Sequence, residues 1–264
     1  MRGARTDVAR AAGDASPMAV YPPREDTYLL LPFARSRPGT RVLEVGTGSG
    51  LLALTAARDG ARVVATDRNP EALRRLRARA RAESLDLDVV RTDLARGLGR
   101  FERVLSNPPY LPTRPGERDP DRWVNLALDG GPDGTRFLAR LLGDLGDLLS
   151  PGGQAFVVVS SLQSAERRAE IARAWRERGG RLSTVARRPL PGEQLEVWKL
   201  SRAEESTRPR VRRGVRRRRA RGRGTARRPR TRAGSRVGSS RAPAHGRTSA
   251  RGAASAQRPY RSGS

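Results

Sequence analysis

Val42-Leu43-Glu44-Val45-Gly46-Thr47-Gly48-Ser49-Gly50-Leu51-Leu52-Ala53 is the stretch that decides the fold. Its first four residues read as a short, largely apolar strand. The glycines that follow let the backbone turn tightly and approach a ligand without a Cβ in the way. Leu51 to Ala57 then read as a buried helix. A strand, a glycine loop and a helix in that order open a parallel α/β unit, whose ligands bind beyond the carboxyl ends of the strands. The loop alone is ambiguous. Gly48-Ser49-Gly50-Leu51-Leu52-Ala53 also fits the relaxed dinucleotide fingerprint G-x-G-x-x-A, and a tight turn with no ligand would look the same.

The pattern continues on both sides. Upstream, Leu29, Leu30 and Phe33 give an apolar side to a helical stretch after Pro22-Pro23, closed by Pro38-Gly39. Downstream, Arg62 to Thr66 is a second strand ending at Asp67. Pro70 suits the first turn of the next helix, with Asn69 as its cap and Leu73, Leu76 and Ala80 on one face. Val89-Val90 and Val104-Leu105-Ser106 are further strands, and residues 111–128 read as a long proline-containing loop. Phe137, Leu138, Leu141, Leu142, Leu145, Leu148 and Leu149 form the stripe of a helix stopped by Pro151-Gly152-Gly153. Ala155 to Ser160 is a continuous apolar strand, as in a sheet covered on both faces. After a helix through Ile171 and Trp175, two alternating runs flank Pro191-Gly192 like a hairpin. These elements predict a doubly wound α/β fold, with a mostly parallel sheet and one antiparallel strand in a C-terminal hairpin.

Composition divides the chain. Residues 1–200 hold 33 Lys+Arg against 25 Asp+Glu, whereas residues 201–264 hold 21 Arg against 2 Glu and lack Leu, Ile, Phe, Met and Trp. Such a tail cannot bury enough apolar surface to offset chain entropy, so it is expected to be disordered. The expected organisation is a flexible leader over 1–18, one domain over 19–200 and an Arg-rich tail over 201–264. The tail could give non-specific contact with RNA or the ribosome. Of the 54 basic residues only Lys199 is a lysine, a skew that points to GC-rich coding and weakens the case for selected phosphate contacts. With no Cys, and with the single His245 in the tail, chemistry needing either residue within the fold is excluded, as is a cysteine-ligated metal site. No metal is expected. No signal peptide or membrane span is read, so a cytoplasmic location is the expectation.

Four strand ends carry chemistry. The glycine loop is the first. Asp67, about 20 residues beyond it, is placed to accept hydrogen bonds from a ribose diol. Asp93 is placed to take an adenine amino hydrogen, with the Leu94 N–H meeting a ring nitrogen. The discriminating motif is Asn107-Pro108-Pro109-Tyr110. A planar –NH2 acceptor is a poor nucleophile, because its lone pair is delocalised, and it must be held in line with the bond being broken. The Asn107 oxygen can take one of its hydrogens and the Pro108 carbonyl the other, preorganised by the prolines. Tyr110 can cover the planar group with its ring.

Together, Val42 to Gly50, Asp67, Thr92-Asp93-Leu94 and Asn107 to Tyr110 resemble the ordered motifs of the HemK-type methyltransferases. That family modifies the glutamine of the Gly-Gly-Gln loop in peptide-chain release factors. Val20-Tyr21-Pro22-Pro23-Arg24-Glu25-Asp26-Thr27 resembles the opening segment of its short branch, except that Pro22 stands where Glu is common. Ala127-Leu128-Asp129-Gly130-Gly131-Pro132-Asp133-Gly134 and Gly192-Glu193-Gln194-Leu195-Glu196-Val197 are similar too. The resemblance runs from about Val20 to Leu200. It implies a class I, Rossmann-like methyltransferase with S-adenosylmethionine as donor, contacted by Thr27, Glu44, Gly46, Gly48, Gly50, Asp67, Asp93, Leu94 and Asn107. Asn107, Pro108 and Tyr110 would hold the acceptor. Glu44 could instead only tie down the glycine loop, and Thr27 could only open a helix. Protein glutamine N5-methylation of a release factor is the leading expectation. A nucleic-acid methyltransferase acting on adenine N6 or a related amino group is the alternative, because it presents the same planar –NH2. A non-enzymatic RNA- or ribosome-binding role through the tail is a third.

Overall fold

The computed structural model describes residues 20–202. The expected leader over 1–18 and the tail beyond Arg202 lie outside the described residues. A short helix, α1 (Glu25–Leu30), continues into a 3-10 turn over Leu31–Ala34. Strand β1 (Arg41–Val45) then runs through the glycine loop into α2 (Leu51–Arg58), followed by β2 (Arg62–Asp67), α3 (Pro70–Ala82), β3 (Leu87–Arg91) and β4 (Phe101–Ser106). Helices α4 (Arg122–Leu128) and α5 (Arg136–Leu148) precede β5 (Leu149–Ser160), α6 (Ala165–Glu177), β6 (Gly180–Leu190) and β7 (Glu193–Arg202). The seven strands form one sheet in the order β3-β2-β1-β4-β5-β7-β6, with β7 antiparallel to both neighbours and the other pairings parallel.

Strand alternation sorts the core into two layers. Leu43, Val45, Val104, Val157 and Val159 face α5 and α6, where they meet Leu138, Leu141, Leu142, Leu145 and Trp175. Val42, Ala65, Leu105, Phe156 and Val158 face the other way, onto Leu30, Leu52, Leu76 and Ala80 of α1, α2 and α3. Successive residues of β1, β4 and β5 thus feed opposite cores, which is why Val42-Leu43, Val104-Leu105 and Ala155 to Val159 are consecutive apolar residues.

Two local readings are corrected. Residues 111–128 are not a plain loop, since they contain a 3-10 turn over Pro115–Glu117 and helix α4, which Asp121 caps by accepting from Trp123 N. The helix before Pro151 ends at Leu148 rather than running to the proline. Leu149 already pairs with Phe101, and Pro151-Gly152-Gly153 is taken into β5 as an irregularity opposite β4. Gly152 has φ +73°, and a Cβ on Gly153 would sit 2.8 Å from the Phe101 carbonyl, so the glycines pass this point instead of ending an element. Strand β7 also carries the fold past Leu200 to Arg202.

Gly50 shows what the third glycine of the loop is for. It caps α2 with φ +76°, and a Cβ there would meet Leu76 Cδ1 of α3 at 2.6 Å. Gly50→Ala adds left-handed backbone strain to an overpacked contact with a fully buried leucine. The expected loss is about 2–4 kcal/mol, seen as a fall of roughly 5–15 °C in Tm by calorimetry.

Candidate active site

The carboxyl ends of β1, β2 and β4 open into one cavity of about 1360 Å³. Every residue expected to contact a donor or acceptor lines it except Gly50, which lies behind the loop at the start of α2. The glycine loop is tied to the end of β2. Gly46 N and Thr47 N both donate to the Thr66 carbonyl, and Gly48 N donates to Asp67 Oδ2 at 2.9 Å. Asp67 Oδ1 accepts from Asn69 N. Asn69, not Asp67, caps α3 by accepting from Glu71 N, as expected. Burial raises the Asp67 carboxyl above its usual range, against hydrogen bonds from the Asn69 and Gly48 amides that lower it.

Glu44 is the buried anchor of this half of the cavity. Its Oε2 accepts from Thr47 Oγ1 at 2.6 Å and from Ala53 N at 2.9 Å, binding the loop to the first turn of α2. Both visible bonds therefore serve the loop. Leu94 is buried at φ 60°, an uncommon conformation for a residue with a branched side chain. Its carbonyl accepts from Thr66 Oγ1 at 2.8 Å, which holds the turn after β3 against β2. Asp93 lines the cavity, and its Oδ2 is ion-paired to Arg140 of α5 at 2.6 Å. That hydrogen bond holds the Asp93 carboxyl below its usual range.

The other end of the cavity is organised by Asp26, which the sequence reading did not single out. Asp26 Oδ1 accepts from Thr27 N at 2.6 Å and from Thr27 Oγ1 at 3.1 Å, and Oδ2 accepts from the Tyr110 and Tyr21 hydroxyls at 3.1 and 3.3 Å. Because the Thr27 hydroxyl proton is spent on Asp26, its oxygen can only accept from Asn107 Nδ2, at a long 3.4 Å. The amide orientation follows. Asn107 Oδ1 is left buried with no hydrogen-bond partner. A buried acceptor in this state costs free energy that an incoming donor would recover. Burial pushes the Tyr110 and Tyr21 hydroxyls upward, and the charge of Asp26 adds to this. Tyr110 is thus a fixed wall with a protonated phenol. Glu193, at the start of β7, also lines this end and accepts from Ser160 Oγ at 2.5 Å; burial raises its carboxyl.

The motif loop is held from behind by the glycine-rich turn. A Cβ on Gly134 would strike the Tyr110 carbonyl, and one on Gly130 would lie 2.6 Å from the Gly134 carbonyl. Gln163 is 2 % exposed and bridges this turn to the sheet, with Nε2 donating to Gly134 O at 2.8 Å and Oε1 accepting from Ser160 N at 3.0 Å. Trp123, within the segment that reads from sequence as a loop, is packed into the wall on α4, with the Arg122 guanidinium over its ring at 4.2 Å.

Glu44 makes a pH-dependent prediction. Burial pushes its carboxyl from 4.5 up to about 8 in the folded chain. Below 4.5 both folded and unfolded chains hold the proton. Between 4.5 and 8 only the folded chain does, so stability falls as pH rises and levels off near 8. Glu44→Gln keeps an acceptor for Thr47 and Ala53 but does not titrate. The expected result is a Tm that falls with pH over this window in the wild type and much less in the variant, followed by scanning calorimetry.

Comparison with known proteins places this geometry. Residues 25–118 match the family model described as the methyltransferase small domain. The methyltransferase HEMK2 of Mus musculus is 34 % identical over 197 residues, spanning 70 % of this chain and 90 % of that protein. The release factor glutamine methyltransferase of Deinococcus radiodurans is 43 % identical over 145 residues, but the match spans only 51 % of its length. A chain in the structure of the E. cuniculi Mtq2–Trm112 complex, responsible for methylation of the eRF1 translation termination factor, superposes with a TM-score of 0.54 at 26 % identity, covering 70 % of this chain and 99 % of that one. With the class I architecture and the strand-end motifs in place, the chain belongs to the HemK-type methyltransferase family.

Proposed function

We propose that the cavity holds S-adenosylmethionine and that the chain methylates the side-chain amide nitrogen of a protein glutamine, the one in the Gly-Gly-Gln loop of a peptide-chain release factor. The observation that carries this reading is Asn107 Oδ1, a buried acceptor with no partner, at the head of a double proline. The residues present fit the donor. The backbone at Gly46 borders open space, since a Cβ there would meet nothing within 4 Å, and Asp67, Asp93, Leu94 and Thr27 ring the same cavity. The names of the relatives support the acceptor class.

When bound, the donor supplies a sulfonium-activated methyl group. The protein's part is placement. Asn107 Oδ1 and the Pro108 carbonyl accept the two N–H hydrogens of the glutamine amide and aim its lone pair along the transfer axis. Tyr110, tethered to Asp26, covers the planar group. The carboxylate of Asp26 and the carbonyl dipoles favour the positive charge that develops on nitrogen before its proton is lost. Asp67 holds the ribose diol, and Glu44 acts through the loop it ties down.

Two variants separate donor from acceptor. Asp67→Ala should weaken S-adenosylhomocysteine binding by about 100-fold, or roughly 3 kcal/mol, by calorimetry. Unchanged affinity there would remove the donor assignment. Asn107→Ala should abolish transfer while leaving donor affinity close to wild type. The acceptor is decided by mass spectrometry of release factor, RNA and DNA after reaction with the donor. One added methyl group on the glutamine is expected, lost when that residue is Glu. Methylated adenine with untouched release factor would move the reading to a nucleic-acid amino group.

A further inference from the structure

Beside the main cavity lies a second hollow of about 410 Å³, lined by Arg68, Arg91, Thr92, Asp93, Arg122, Trp123 and Leu126. Three strands of argument meet there. The first is charge. Arg91 and Arg122 form no ion pair within 4 Å among the described residues, and the Arg91 Nε–H donates to the Arg68 carbonyl at 3.3 Å, while the charge of Arg68 acts on Asp67 and Asp93. The only carboxylate in the lining, Asp93, is already neutralised by Arg140 at 2.6 Å. Like charges that outnumber the carboxylates around a concave surface raise the local potential and attract an anion. The second is continuity. Arg68, Thr92, Asp93, Trp123 and Leu126 line both hollows, so a macromolecule seated over the main cavity extends onto this one. The third is presentation. The flat face of Arg122 is spent on Trp123 at 4.2 Å, which holds the guanidinium in place and leaves its N–H edge for a ligand.

From this we propose that the Arg68–Arg91–Arg122 hollow docks acidic side chains that flank the modified residue in a protein acceptor. The inference rests on the protein-glutamine reading above and names a feature of the acceptor that the reading leaves open. A protein fits better than a nucleic acid because the segment leading into the hollow breaks up its positive charge: Glu117, Asp119 and Asp121 lie between Arg114 and Arg122, and Arg118 is paired with Asp129. A phosphate backbone is a continuous run of negative charge and favours an unbroken basic track. Separate arginines set among acidic residues suit a protein surface instead, where individual acidic side chains meet individual arginines and wrong registers are penalised.

The test uses the full chain and two fluorescent Gly-Gly-Gln peptides, one flanked by Asp and Glu and the other by Ser and Asn. The Arg91→Glu/Arg122→Glu double variant should bind the acidic peptide about tenfold more weakly than wild type and raise its KM by a similar factor. Its kcat, its S-adenosylhomocysteine affinity and its binding of the neutral peptide should stay within about twofold. The gap should narrow between roughly 50 and 500 mM NaCl. The Arg91→Lys/Arg122→Lys variant, which keeps the charge, should recover most of the loss. Comparing variants in the full chain cancels attraction to the Arg-rich tail. Equal loss for both peptides, or none for either, overturns the proposal, as does weakened binding of a single-stranded RNA with acidic-peptide binding intact. If the wild type methylates neither peptide, the glutamine reading fails, while the anisotropy comparison still decides the docking site.

Discussion

Asp26 accepts four hydrogen bonds, two from Thr27 and one each from Tyr21 and Tyr110, and the Asn107 end of the cavity depends on them. A buried carboxylate must be satisfied by donors or lose its charge. The donors Asp26 recruits come from the segment before α1, from α1 itself and from the loop after β4. One group therefore ties the segment before α1 to the loop after β4. It also decides which way the Asn107 amide points, because it takes the only proton that the Thr27 hydroxyl could have offered. The empty acceptor on Asn107 is in this sense a product of Asp26, reached through Thr27. The arrangement leaves one polar atom short of a partner in a region where the others are paired, which is how a folded chain holds a site ready for a ligand that brings its own N–H.

Glu44 does the corresponding work at the glycine-loop end, by a different balance. Its partners are a hydroxyl and a backbone amide, neither of them a cation, and burial outweighs both. The carboxyl therefore keeps its proton well into the neutral range, unlike Asp93, whose arginine partner holds it ionised. A loop anchored on a neutral carboxyl brings no full negative charge to the cavity floor. Asp67, fixed by two backbone amides, lines the same cavity at the end of β2.

Much of this was legible in the sequence because strand-end chemistry follows from local order. A strand, a glycine loop and an acidic residue about 20 positions later put three groups at one edge of a parallel sheet, whatever the side-chain packing. The hairpin at Pro191-Gly192 and the cap at Asn69 were readable for the same reason, each being settled within a few residues. Helix α4 was missed because prolines and charges mask a helix barely two turns long, whose stability comes from Trp123 packed in the cavity wall. The Pro151-Gly152-Gly153 run was misread because a helix stop and a strand irregularity use the same residues. Only the pairing of Leu149 with Phe101 on a distant strand distinguishes them.

Asp26 and Gln163 belong to another class of omission. Neither sits in a motif with a chemical signature, and each acts on a residue far along the chain. Asp26 reaches Tyr110 across 84 positions, and Gln163 reaches Gly134 across 29. Gln163 joins the end of β5 to the glycine-rich turn, whose Gly134 leaves no room for a Cβ beneath the Tyr110 carbonyl. The motif loop is thereby held on both sides, by a carboxylate in front and a side-chain amide behind. Two prolines limit what Asn107-Pro108-Pro109-Tyr110 can do on its own, but they do not say where it points. That direction comes from Asp26 and Gln163, and a rigid loop is useful for catalysis only once its direction is set.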